Sequence, residues 1–188
     1  SFIVGIKSTK LLTKEKFFLK KYKPWGVILF SRNIKSIPQA KKLTTNIRKI
    51  FKDNNYPILI DQEGGRINRL SNFFNTQSLT SKYFGDLYLK DKKKFDIYFK
   101  IFILLKQIGA NINTVPVLDI RAKGSSVIIG DRSFSKSSKI VDKIGNFCIK
   151  HYHKENIGTV IKHIPGHGLA KVDSHKLTPI IKKDFSYL

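Results

Sequence analysis

A chain of 188 residues, 41% hydrophobic and 12% aromatic, can bury one core and is too short for two full domains. Its net charge of +23 at pH 7 raises nucleic acid as a partner. The charge is mostly lysine spread along the solvent faces of expected helices (Lys14, Lys16, Lys20, Lys21; Lys41, Lys42, Lys49, Lys52; Lys92, Lys93, Lys94), which fits a solvated surface better than a phosphate-binding groove.

The predicted elements follow a βαβα rhythm, the signature of a parallel sheet. Strands are expected at 2–6, 27–30, 57–61, 112–120 with a break at Pro116, and 159–163. The first helix runs from a Thr13 cap to Tyr22. In the second, Pro38 suits the first turn and Ala40, Leu43, Ile47 and Ile50 mark one face. A third is expected over 91–108, apolar almost all round, and a fourth over 137–152, where Cys148 lies on the apolar stripe as a packing residue. Residues 183–188 read as a helix cut mid-course. No apolar run approaches the ~18 to 20 residues that cross a bilayer as a helix, and the first residues do not read as a secretory leader, so a cytoplasmic location is the expectation. With no methionine and Ser1 at the head of a strand, the native start is expected upstream. Five strands at roughly 35 to 40 residues per unit project to a (β/α)8 TIM barrel of the usual ~250 residues only if the chain continues, so an incomplete barrel with about five of eight βα units is expected. Residues 1–188 are accordingly read as part of one domain.

Polar clusters follow the strands: Ser31-Arg32-Asn33, the stretch from Asp61 to Arg66, Asp119-Ile120-Arg121, and Lys162-His163-Ile164-Pro165-Gly166-His167-Gly168. Loops at the carboxyl ends of parallel strands converge over one face, where sites are built. In a lysine-rich chain, Arg32, Arg66, Arg69, Arg121 and Arg132 sit after strands or in Gly-rich loops, where a forked planar donor is not interchangeable with an ammonium. Asp61 at the end of a buried strand could accept two sugar hydroxyls while Arg66 or Arg69 donates to neighbouring oxygens; a plain Gly-Gly turn flanked by an ion pair would look the same. All five histidines fall between His151 and His175. His151 and His153 close a helix. Asp173 and His175 are close enough for the carboxylate to hold one imidazole nitrogen and poise the ring for proton transfer, although a surface Asp and His would also look so. Two other classes stay open: a metal-dependent hydrolase with His163, His167 and Asp173 as ligands, and a non-catalytic basic nucleic-acid binder whose binding would survive moderate salt.

The motifs Gly26-Val27-Ile28-Leu29-Phe30-Ser31-Arg32-Asn33, Ile60-Asp61-Gln62-Glu63-Gly64-Gly65-Arg66, Pro116-Val117-Leu118-Asp119-Ile120, Gly130-Asp131-Arg132-Ser133-Phe134, Lys162 to Gly168 and Asp173-Ser174-His175 come in one order across nearly the whole chain. That order resembles the bacterial β-N-acetylhexosaminidases of glycoside hydrolase family 3. The resemblance implies a retaining hydrolase that removes non-reducing terminal β-N-acetylglucosamine, with muropeptides of peptidoglycan recycling as substrate. It implies that Asp61, Arg69, Arg132, Lys162 and His163 bind the terminal sugar and that His175, paired with Asp173, is the acid/base in place of a second carboxyl group. The nucleophile implied is an aspartate after the seventh strand, beyond Leu188, so neither Asp119 nor Asp184 is given that role and the chain alone is expected to be inactive. Leu169 and Ala170 stand where many relatives carry a polar pair. No cofactor or metal is implied; the expected partner is a carbohydrate, with no specific nucleic acid, no membrane and a monomeric state.

Overall fold

The computed structural model describes residues 1–91, 95–121, 127–170, 172–173, 176–181 and 184. Its centre is a parallel sheet of β1 (Ile3–Gly5), β2 (Gly26–Leu29), β3 (Ile58–Ile60), β4 (Ile112–Asn113) and β5 (Gly158–Thr159), in the spatial order β1-β2-β3-β4-β5. Each strand is added beside the one before it, with Val27 opposite Ile58 and Ile60 opposite Asn113. A doubly wound sheet reverses direction at a switch point. No reversal occurs here, and the unbroken order is that of successive units of a (β/α)8 barrel.

Helices α1 (Thr13–Tyr22), α2 (Ile37–Phe51), α3 (Ser81–Lys90), α4 (Ile101–Ile108) and α5 (Ser138–Lys154) fill the crossovers. Thr13, expected as a cap, is the first helical residue. The carboxylate of Glu15 reaches back instead, accepting from the amides of Leu12 (2.8 Å) and Lys7 (2.7 Å). In α2, Pro38 sits in the first turn, the Ser36 hydroxyl accepts from Gln39 N–H, and Ala40, Leu43 and Ile47 are buried, with Ile50 partly so. Removing the Leu43 or Ile47 side chain from this seam would cost about 2–5 kcal/mol. Val27, Leu29, Ile58 and Ile60 are fully buried opposite the helices, as is Cys148 on α5, where packing is its role.

The single helix expected over 91–108 is replaced by a short 3-10 segment, Asp96–Lys100, followed by α4, and 92–94 lie outside the described residues. α3 was not legible because Gly85 and Asp86 interrupt its apolar pattern; Thr80 caps it by accepting from Tyr83 N–H at 3.1 Å. The strand expected over 112–120 keeps only two ladder residues. Pro116 offers no N–H, and the buried Asn113 side chain takes the place of a further backbone pair, accepting from Gln62 N–H and donating to Gln62 C=O at 3.0 Å each. Val117 then pairs with Lys162, carrying the β4–β5 alignment into the loops, although the strand expected over 159–163 holds as a ladder only at Gly158–Thr159. Most of 183–188, expected as helix, lies outside the described residues. No helix among the described residues is long and apolar enough to cross a membrane.

Candidate active site

Asp61 leaves the end of β3, and Lys162 and His163 follow β5, so three polar side chains from two loops meet above one edge of the sheet. Lys162 is the hub. Its ammonium lies 3.0 Å from Asp61 Oδ1, 2.6 Å from Glu63 Oε1 and 3.1 Å from the Thr114 hydroxyl. Thr114 in turn donates to Asp61 Oδ1, and Arg69 Nη2 stands 3.4 Å from Asp61 Oδ2. Arg69 is delivered by the turn that begins at Gln62, whose side-chain oxygen accepts from the amides of Arg69 (2.8 Å) and Leu70 (3.3 Å). That turn needs Gly64, with φ of +98°, because a Cβ there would stand 2.3 Å from the Leu79 carbonyl oxygen.

Glu63 forms the floor. Its carboxylate is 2% exposed and receives both Nε and Nη2 of Arg132 at 2.8 Å, a forked contact that lysine could not make. Another Arg132 neighbour is His163, whose Nε2 lies 3.3 Å from Arg132 Nη2, while His163 Nδ1 lies 2.6 Å from Asp119 Oδ2. Three carboxylates (Asp61, Glu63, Asp119) thus interleave with three cations (Arg69, Arg132, Lys162). Buried charges persist when each is paired and hydrogen-bonded, and here each is.

Burial alone would raise the Asp61 carboxyl; the Lys162 charge, with the Thr114 and Arg69 contacts, outweighs it and holds Asp61 below the usual carboxylate range. Burial would raise Glu63 as well, and the Arg132 hydrogen bonds and Lys162 charge hold it low. For Asp119, burial is overcome by the hydrogen bond from His163 and the amide of Gly168. Burial would lower Arg132, but the hydrogen bonds to Glu63 raise it. All three carboxyl groups are therefore ionised at neutral pH, and the cluster presents fixed charges.

Asp61, Arg69, Arg132, Lys162 and His163, singled out in the sequence, come together here. Glu63, Thr114 and Asp119 belong to the same network and were given no role in it. Glu63 and Asp119 stand within motifs after strands, a usable signal, whereas nothing marks Thr114. Arg66 points elsewhere, in an exposed pair with Asp131 at 3.7 Å, and Arg32 braces β1 by donating to the Ile6 carbonyl at 2.9 Å. Asp173 is partly buried, its carbonyl accepting from the amides of Lys176 and Leu177. His175 lies outside the described residues. For the metal reading, His163 has Asp119 at one ring nitrogen and a guanidinium at the other, and His167 Nε2 contacts the Val172 carbonyl at 3.1 Å. Among the described residues no three ligating side chains form a metal cluster.

Successive parallel βα units with a buried charge cluster at the strands' carboxyl ends define the class: a (β/α)8-barrel protein with its site at the usual face. Residues 4–188 match the family described as glycosyl hydrolase family 3 N terminal domain, and the chain belongs to that family. A Beta-hexosaminidase of Hydrogenovibrio crunogenus is 31% identical over 187 residues, which is 97% of this chain and 52% of that protein. The Beta-hexosaminidase of Methylobacillus flagellatus is 32% identical over 170 residues, 87% of this chain and 47% of its own length. The crystal structure of NagZ from Neisseria gonorrhoeae superposes with a TM-score of 0.82 at 28% identity, covering 95% of this chain and 53% of NagZ. The same protein in complex with N-trifluoroacetyl-D-glucosamine gives 0.83. The chain spans about half the length of the curated relatives it matches.

Proposed function

We propose that this chain is the sugar-binding part of a retaining glycoside hydrolase that releases non-reducing terminal β-N-acetylglucosamine. The observation that carries this reading is the convergence of Asp61, Arg69, Lys162, Arg132 and His163 at one mouth. A carboxylate with several acceptor lone pairs, flanked by Lys162 and Arg69, which donate and cannot accept, suits the vicinal hydroxyls of a pyranose. A relative bound to an N-acylated glucosamine supports the sugar class. Residues 1–188 are part of one barrel domain, and the nucleophilic aspartate lies beyond Leu188.

In the reaction, that aspartate attacks the anomeric carbon, the glycosidic C–O bond breaks, and protonated His175 gives its proton to the leaving oxygen. Neutral His175 then takes a proton from the water that hydrolyses the glycosyl-enzyme. Asp173 orients the imidazole and stabilises its charged form. Asp61 and Lys162 hold the sugar still while bonds change at its far end. Muropeptides of peptidoglycan recycling are the natural substrate, acted on in the cytoplasm by a monomer, and the surface lysines serve solubility.

The test is hydrolysis of an aryl β-N-acetylglucosaminide by the protein that carries this chain at full length. His175→Ala is expected to lower turnover by about 10²-fold or more, with the largest loss for poor leaving groups that must be protonated to depart. Full activity in that variant would remove the dyad, and turnover by residues 1–188 alone would misplace the nucleophile.

A further inference from the structure

The sugar-binding reading gives Asp119 no role, yet its carboxylate gathers three donors. Its side chain is 0% exposed. Oδ2 accepts from His163 Nδ1 at 2.6 Å and from the His163 amide at 3.1 Å, and Oδ1 accepts from the Gly168 amide at 2.7 Å. Gly168 can come this close because it has no side chain: a Cβ there would stand 2.4 Å from the Ile120 carbonyl oxygen. On the far side of the imidazole, Nε2 faces Arg132 Nη2 at 3.3 Å. A guanidinium only donates. Nε2 must therefore accept and carry no proton, and the single ring proton sits on Nδ1, against Asp119.

We propose that Asp119 is a positioning residue of this site: it fixes His163 as the Nδ1–H tautomer, leaving Nε2 an acceptor, and ties the loop after β5 to the end of the fourth unit. The tautomer follows from the hydrogen-bond geometry, and its effect on substrate rests on the sugar-binding reading above. Nε2 and Arg132 Nη2 are engaged with each other, so the chain of contacts from Asp119 through His163 to Arg132 holds the imidazole and the guanidinium in one orientation at the mouth. The second arm of the carboxylate holds Gly168, and the next contact along, His167 Nε2 to the Val172 carbonyl, extends the hold toward Asp173.

An Asn at 119 has one acceptor oxygen for the three donors. The His163 amide on one oxygen and the Gly168 amide on the other cannot shift their protons, so the Asn NH2 faces a backbone donor whichever way it is turned. Either the His163 seat or the hold on Gly168 is then lost. The experiment is ring-nitrogen NMR on the histidine-labelled full-length protein, with the His163 signal assigned by its loss in His163→Gln. The wild type is expected to show Nδ1–H with a bare Nε2. Asp119→Asn is expected to raise KM for the aryl β-N-acetylglucosaminide by about tenfold, with a smaller change in kcat. A wild-type ring carrying its proton on Nε2, or a variant with unchanged KM, would overturn the proposal. If Asp119→Asn does not fold, the wild-type tautomer decides. A wild type with the expected tautomer and no hydrolysis supports the positioning geometry while ending the glycosidase reading.

Discussion

Replacing Arg132 by methionine isolates the floor of the site, because it leaves Glu63 2% exposed with two of its three charge-assisted contacts gone. The Lys162 ammonium, 2.6 Å away, remains, but it is shared with Asp61 at 3.0 Å. Removing one partner of a buried pair costs about 3–5 kcal/mol, since the orphaned charge keeps its desolvation penalty. The surviving lysine places the expected loss near the lower end, about 3 kcal/mol. Replacing Glu63 and Arg132 together by methionines removes both charges and is expected to cost about 1 kcal/mol or less. Urea unfolding of the full-length protein and its variants, with ΔG taken from midpoint and slope, measures the difference. Arg132→Met losing less than about 1 kcal/mol, or the double variant losing more than the single, would refute the claim that an uncompensated Glu63 carboxylate dominates.

Asp61, Glu63 and Asp119 all have folded-state pKa values held below the ordinary range. Their contribution is complete above the unfolded values of about 3.9 for Asp and 4.3 for Glu and is lost as pH falls through the lower folded values. The unfolding midpoint is therefore expected to hold from neutrality to about pH 5 and to drop steeply below about pH 4, and a midpoint insensitive to acid would contradict the pairing. Cys148 is fully buried and its thiol is pushed up by burial. The peptide carrying it should escape maleimide labelling in the native protein and be modified in denaturant, as read by mass spectrometry; rapid native labelling would contradict its place in the core.

The parts of the fold legible in the sequence are those where local chemistry and global packing agree. Strand segments around Val27 and Ile58 read as continuous apolar runs because a parallel sheet covered by helices buries both faces. α2 was legible from Pro38 and the stripe through Ala40, Leu43 and Ile47. By contrast, α3 carries Gly85 and Asp86 where an apolar stripe would be sought, and the β4 region substitutes an asparagine side chain for backbone pairing, which no periodicity encodes. The same contrast runs through the site. Asp61, Arg69, Arg132, Lys162 and His163 could be grouped by the order of the family's motifs. The forked pairing of Glu63 with Arg132, 69 residues apart, and the seat that Asp119 makes for His163, 44 residues on, exist only once the strands are adjacent.

The most direct measurement is a crystal structure of the full-length protein soaked with N-acetylglucosamine. The expected result is a pyranose whose hydroxyls contact Asp61 and Lys162, with the His175 loop on the same side of the sheet. A sugar bound elsewhere, or His175 at the opposite end of the strands, would contradict it.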